Sequence, residues 1–473
     1  MNSTQVDQDI SDLNKFGYVQ ELLREMGGFT AFAISFSVIS ILTGATQLFG
    51  YGLTHGGPFQ ICVGWTIVSI FTFFVALAMA ELASSFPTAG AVYHWSHILG
   101  GRTLGWFTAA LNTIGQFALM AGIDYGLAQF IFGIVGVTAT PAMIFALFSM
   151  LLFSHAILNH RGIHIVGRLN DFSAWYHILV VAALVGALLW RGTAQPVDFL
   201  LQFSSTDGFS KPYSFFVGLL VAQWTLCGYD AAAHVTEETV DPRRRAPWGI
   251  VLSVVVSVLA GAAMLFLVVL SIPDLAQAHG FGDAAFQEIL KLRLGVGPAR
   301  VMSGLIAGAM WLCGLASMTS ASRMVYAFAR DGGLPFAHLW ATISPEHRTP
   351  SNAIWGLSAF ALLLSLSVDI YSAIVSIATI TLYLSYGLPI VARVIGEWRG
   401  RPYPTGPWNL GRIGTLISIV AVVWIAIITV AFVLPPNQQA GVAMAVVSLL
   451  LLGLWVFQVR KTFVGPKFAK GIA

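Results

Sequence analysis

Twelve stretches of this chain are apolar over about the thickness of a bilayer, and its polar residues gather almost entirely between them. They lie near 29–53, 58–84, 103–135, 139–158, 168–190, 213–238, 246–271, 298–328, 351–367, 370–395, 411–434 and 439–460. A helix needs roughly 20 such residues to cross the hydrocarbon layer. The pattern therefore predicts an all-α polytopic membrane protein with twelve transmembrane helices. Its longest connections, 272–297 and 329–350, leave no room for a separate catalytic domain. Composition agrees, with 57% hydrophobic and only 10% charged residues, which is far from a soluble domain.

The first apolar run begins at Phe29, behind a polar stretch carrying Asp7, Asp9, Asp12, Lys15, Glu21, Arg24 and Glu25. That stretch has no basic n-region, and the run is too long for a signal-peptide core, so no cleavage is expected. The chain divides into a cytoplasmic segment 1–28, a membrane domain 29–461 and a cytoplasmic tail 462–473. With twelve spans and the N-terminus inside, only Arg191, Lys211, Lys291, Arg293 and Arg300 of the 24 Lys and Arg fall outside. The positive-inside rule then places both termini in the cytoplasm. The basic residues are topology signals facing a lipid bilayer, and no nucleic-acid partner is implied. Cys62, Cys227 and Cys313 all lie inside apolar spans. Neither a disulfide framework, a metal site nor a cofactor is expected from them.

The most informative stretch is WTLCGYDAAAHVTEETVDPRRRAP, Trp224 to Pro247. It starts as an apolar span, yet it contains Gly228, where helix propensity drops, and the carboxylate Asp230. A charge inside a span costs about 3 kcal/mol or more, so it marks function more often than decoration. His234, Glu237 and Glu238 share its helical face. Glu237 and Glu238 alone would suit an acidic cytoplasmic cap; Asp230 would not. A second weak helix is Ser37–Thr46, with four hydroxyl residues and Gly44, which reads either as site lining or as close helix packing. Asp124 with Gln116, two turns apart in the third span, either lines a pathway or lies solvated at the outer mouth. Glu81 to Tyr93, broken by Pro87 and Gly90, reads as a re-entrant or interfacial loop at the inner mouth.

The spans fall into two sets of five plus two. Gly56-Gly57-Pro58 opens the second and Ala246-Pro247 the seventh; a long third matches a long eighth; the first and sixth are the broken ones. Corresponding irregular segments in two halves point to a central binding site.

Three segments, AELASSFPTAGAVYHW, GYDAAAHVTEET and ASRMVYAFARDGGLP, resemble the amino acid–polyamine–organocation superfamily. The nearest branch is the amino acid/choline transporters, which include fungal GABA and choline permeases. The resemblance implies a leucine-transporter-type 5+5 inverted repeat plus two helices. Its first repeat would cover about 29–190, its second about 213–395, and the two extra helices about 411–460. It also implies a substrate near the bilayer midplane, its carboxylate on amides of the broken first helix and its amine on carbonyls of the sixth. The residues carried over are Ser40, Thr43, Gly44 and Ala45, then Thr225, Cys227, Gly228, Tyr229 and Asp230, with Gln116 and Asp124 from the third span. Thr43-Gly44-Ala45 stands where the family has Gly-Ser-Gly, a departure that leaves a less open backbone. His177, seven residues after Asn170, stands where proton-coupled relatives place an amine, so His177 and Asp230 are the candidates for proton coupling. Arg323 and Arg330 resemble an inner gate, to pair with Glu81, Glu237 or Glu238.

The expected protein is thus a proton-coupled secondary importer of a small amine-bearing solute, an amino acid or GABA-like compound, working by alternating access. Sodium coupling and exchange are the alternatives for the energetics. Polyamine, choline and ethanolamine are the alternatives for the substrate, with Trp224, Tyr229 and Tyr383 as a cage for choline and Asp124 with Asp230 as two carboxylates for a polyamine. A channel would show a repeated selectivity ring, which is not seen. No nucleophile-elbow, zincin or phosphate-loop motif points to an enzyme. The expected setting is a bacterial inner membrane.

Overall fold

The computed structural model describes residues 3–365, 371–401 and 403–466. Most of the tail expected over 462–473 therefore lies outside the described residues, as do the last two positions of the ninth expected span and the first of the tenth. Among the described residues, ten helices are long and apolar enough to cross a membrane. The other two expected spans take a different form. The sixth is broken into Lys211–Gly218, Leu220–Thr225 and Ala231–His234, and the ninth, Ser351–Leu364, has only 14 residues.

Burial sorts the helices into a centre and a periphery. In the first span 83% of the apolar window is buried, against 22% in the fourth, Pro141–His160, and 17% in the twelfth, Gln438–Thr462. The first helix therefore lies inside the bundle, while the other two present their sides to lipid. At the centre the tenth helix, Tyr371–Trp398, packs along the third, Val92–Val135. The eighth, Val296–Arg330, lies against the third and first, and the seventh, Pro242–Leu270, against the first and second. Pro58, Pro141 and Pro242 sit in first turns, where the missing N–H costs nothing. A two-residue ribbon pairs His55–Gly56 with Ser204–Ser205.

The third helix departs from its expected start. It begins at Val92, not 103, and kinks at Gly101 (φ 83°). Polar His94, His97 and Arg102 break the apolar count there, but the helix accommodates them: His94 Nδ1 lies 2.7 Å from Thr88 Oγ1 and Nε2 3.0 Å from Asp331. The interfacial loop expected over 81–93 shrinks accordingly. Trp65–Ser85 is helical through Glu81, and only 86–91 run between the helices, fully buried. Trp95 Nε1–H donates to the Phe86 carbonyl at 3.0 Å and closes this loop.

The polar N-terminal segment is built into the fold. After the helix Ser3–Lys15 it lies against the stretch that follows the broken sixth span. The Glu25 and Met26 amides donate to the Glu238 carbonyl at 3.0 and 2.8 Å, and the Val240 amide donates back to Met26 at 3.0 Å. Arg24 Nη1 donates to the Thr239 and Thr236 carbonyls at 2.5 and 3.1 Å.

Candidate functional site

Two breaks face one another at the centre. In the first span the helix Gly28–Ile39 ends at Ser40, whose φ of 26° no helix tolerates, and resumes as Ile41–Gln47. In the sixth, Leu220–Thr225 ends before Gly228, whose φ of 84° favours glycine. The breaks touch: a Cβ on Gly44 would lie 2.6 Å from Thr225 Cα, closer than packing permits. Between them is a cavity of about 10 Å³, barely one water's space, lined by Thr43, Gly44, Ile123, Trp224, Cys227 and Cys313 among others. The described state is therefore closed around its centre.

Hydrogen bonds hold each break. At the first, Ser40 Oγ lies 2.6 Å from Thr43 Oγ1 and 2.8 Å from His177 Nε2. His177 Nδ1 is 2.8 Å from the Ser173 carbonyl. A carbonyl only accepts, so Nδ1 bears the hydrogen and Nε2 accepts from Ser40. His177 thus completes its bonding as a neutral ring and pins the first helix to the fifth. At the sixth break, Asp230 Oδ1 accepts from Tyr386 Oη at 2.7 Å, and Oδ2 accepts from Asn112 Nδ2 at 3.2 Å. Tyr386 Oη in turn accepts from the Gly228 amide at 3.2 Å, and His234 Nε2 lies 3.0 Å from Asp230 Oδ2. Three side chains thus compensate a carboxylate that is 0% exposed.

The remaining predicted residues are distributed around this centre. Ala45 and Gln116 are buried, and neither side-chain polar atom of Gln116 has a hydrogen-bond partner among the described residues. Gln116 is one turn from Asn112 on the third helix. Asp124 lies elsewhere, 3.1 Å from His155 Nδ1 of the fourth helix and against Gly314 of the eighth. Twelve residues of helix separate it from Asn112, roughly 18 Å of rise, so it is not brought to Asp230. Tyr229, Tyr383 and Tyr386 contact one another with ring centroids 5.3–6.3 Å apart. Tyr383 donates to the Leu226 carbonyl, so the rings brace the sixth break instead of standing open as a cage.

The end of the bundle next to the N-terminal segment is closed by ion pairs. Arg330 forks onto Glu237 at 2.9 and 3.0 Å, and Arg323 onto Glu238 at 3.0 and 3.1 Å. Glu81 does not join them. It pairs at 2.7 Å with Arg393 of the tenth helix and accepts from the Leu410 amide at 3.1 Å. Tyr18 of the N-terminal segment lies under Arg330, 4.0 Å from the guanidinium, and donates to Asp331 at 2.8 Å. Burial alone would raise the Asp331 carboxyl, but His94 and Arg330 hold it below its ordinary value. Its share of this clasp is thus present above the ordinary Asp range and lost only as pH falls through the lowered value. Arg24→Ala removes two charge-assisted bonds from the same clasp, at about 1.5–3 kcal/mol each. We expect faster amide exchange over 236–241 in that variant, measured by mass spectrometry; unchanged exchange would show that the segment merely rests there.

Sequence reasoning missed Asn112, Tyr386, His155 and Arg393, and it placed His234 on a face without giving it a role. Each is a polar group inside an apolar span, which is the signal that could have found it. The clasp residues Tyr18 and Arg24 carry no such mark.

A bundle with two opposed broken helices around a central cavity defines a membrane carrier. Residues 26–457 match the amino acid permease family. Among similar proteins, the amino-acid permease BAT1 homolog of Oryza sativa subsp. japonica is 36% identical, over 96% of this chain and 94% of its own. Amino-acid permease BAT1 of Arabidopsis thaliana is 35% identical, over 96% and 95%. The GABA-specific permease of Saccharomyces cerevisiae is 27% identical, over 94% and 82%. The chain belongs to the amino acid permease family, within the superfamily its three segments resemble. It is a multi-pass amino acid transporter and not an enzyme.

Proposed function

We propose that this transporter is a secondary active importer of an amino acid or a GABA-like solute, coupled to protons and working by alternating access. The observation that carries the reading is the contact of the two breaks at Gly44 and Thr225 around a closed cavity. Helix amide ends favour a carboxylate and helix carbonyl ends favour an ammonium, so a zwitterion suits the pair of breaks. The coupling proton is held at one of two buried histidine sites, His177 on Ser40 or His234 on Asp230. Twelve spans with a 5+5 inverted repeat over about 29–190 and 213–395, and both termini in the cytoplasm of a plasma membrane, complete the proposal. The polyamine alternative loses its footing, because Asp124 and Asp230 stand far apart.

Two measurements test it. In proteoliposomes, counterflow with labelled L-alanine, L-glutamate, GABA, choline or putrescine should show exchange of a zwitterion and of neither amine. Cys227 and Cys313 line the cavity and are buried. A small permeant thiol reagent should therefore block uptake, the transported zwitterion should protect, and a Cys227→Ser/Cys313→Ser variant should resist. Block that persists in the double variant, or that no substrate slows, would place the site elsewhere.

A further inference from the structure

The partners of His234 fix how many protons its surroundings hold. Nδ1 lies 3.0 Å from the Ala89 carbonyl, which only accepts, so Nδ1 carries a hydrogen. Nε2 lies 3.0 Å from Asp230 Oδ2. A neutral ring with its hydrogen on Nδ1 offers only a lone pair at Nε2, and a carboxylate offers only lone pairs. Two acceptors do not settle at hydrogen-bond distance with both 0% exposed. One more proton has to lie between them.

Two other buried histidines inside spans make no such demand. His177 closes its bonds as a neutral ring. His155 faces Asp124 through Nδ1, while its Nε2 has no hydrogen-bond partner among the described residues, so a neutral tautomer with hydrogen on Nδ1 suffices.

We propose that Asp230 and His234 form the proton-binding site of this transporter, loaded with one proton while the inner face is closed and emptied as that face opens. The inference deepens the proton-coupled reading above and rests on it for the transport cycle. Tyr386 donates to Asp230 Oδ1 and Asn112 to Oδ2, so both oxygens already serve as acceptors. The proton therefore rides on the ring, and the pair is neutral as a whole. One N–H bond forms when a proton arrives from the outer water, and the same bond breaks when it leaves to the inner water.

The link from this proton to the gate is short. Ala89, whose carbonyl accepts from His234 Nδ1, donates its amide to Glu237 Oε1 at 3.2 Å. Glu237 is the carboxylate gripped by Arg330. Without the proton, the neutral ring has one N–H for two acceptors; the carboxylate takes it as the stronger acceptor, and Ala89 loses its donor. Loop 86–91 and the end of the sixth helix then lose a common anchor. By linkage, a proton that favours the closed inner face is held more tightly by that face. Closure is therefore favoured as pH falls and weakened as pH rises.

The neighbouring charges leave this assignment standing. From the eighth helix, Arg323 and Arg330 are engaged by Glu238 and Glu237. From the tenth come Tyr383 and Tyr386, from the third the neutral Asn112 and, beyond Glu237, His94. The seventh contributes Arg243, which donates to the Ser84 carbonyl. The packed part of the first helix, Gly28–Ile39, has no ionisable side chain. Cys227 lies beside Asp230 on the sixth.

The test uses the full chain in lipid nanodiscs, with amide exchange corrected for intrinsic rates over roughly pH 5 to 8. In the wild type, 86–91 and 226–240 should lose protection by about tenfold or more as pH rises. His234→Gln should be poorly protected throughout with no pH step, and His177→Gln should keep the step. In proteoliposomes, an imposed inside-alkaline gradient should drive accumulation of L-alanine or GABA by wild type. His234→Gln should not accumulate either solute above equilibrium. A wild type without a pH step, which needs no variant to fold, overturns the proposal, as does a normal step in His234→Gln. A step that depends on His234, with no gradient-driven uptake by the wild type, upholds the proton site and instead overturns proton-coupled import.

Discussion

Asp230→Asn inserts and folds like the parent chain, but its uptake falls at least about tenfold, which is about 1.4 kcal/mol on the transport barrier. The substitution preserves shape: the amide oxygen still accepts from Tyr386 Oη, which stands 2.7 Å from Oδ1. The new Nδ2 hydrogens change the logic of the site. They supply a permanent donor to His234 Nε2, where the wild type needs an exchangeable proton. They also face the Asn112 amide group, a donor 3.2 Å from Oδ2. The variant is therefore expected to stay closed at its inner face at every pH, binding substrate without releasing it. Initial uptake at matched expression, alongside a substrate-dependent rise in melting temperature, checks this. Wild-type uptake would remove Asp230 from the cycle, and loss of both uptake and ligand stabilisation would assign it a role in binding.

The largest effect on stability belongs to Arg323. Its guanidinium and the Glu238 carboxylate are 1% and 0% exposed and meet through two bonds. Arg323→Ala leaves a buried carboxylate without its partner, at about 3–5 kcal/mol. We expect a marked drop in melting temperature and in yield after solubilisation. Arg323→Met with Glu238→Gln removes both charges and should recover most of that loss, because the desolvation of two ions disappears with their attraction. Equal instability of the single and double variants would mean that shape and not charge holds this corner.

The architecture was legible in the sequence because membrane depth leaves a period and a length that hydropathy reads directly. The broken sixth span announced itself through Gly228 and Asp230, and the first through Ser40 and Gly44. Partner choice was not legible. Glu81 and Glu237 look alike in sequence, yet one meets Arg393 and the other Arg330, since helix rotation and tilt decide reach and are set by packing. Asp124 and Asp230 are both lone carboxylates in apolar runs, and only their distance along the bundle separates them. The early start of the third helix was hidden for a related reason: His94, His97 and Arg102 lower hydropathy without lowering helix content.

The N-terminal strap has a consequence for biogenesis. Arg24 grips a carbonyl 215 residues further along the chain. At ribosomal speeds of about 5–20 residues per second, that partner emerges roughly 10–40 s after the arginine does. The strap must therefore remain unengaged while the first five spans insert, and it docks only once the sixth and seventh have turned. Closure of this face is thus a late event in assembly, and an N-terminal fusion bulky enough to delay docking should accumulate chains that are inserted yet open at that face.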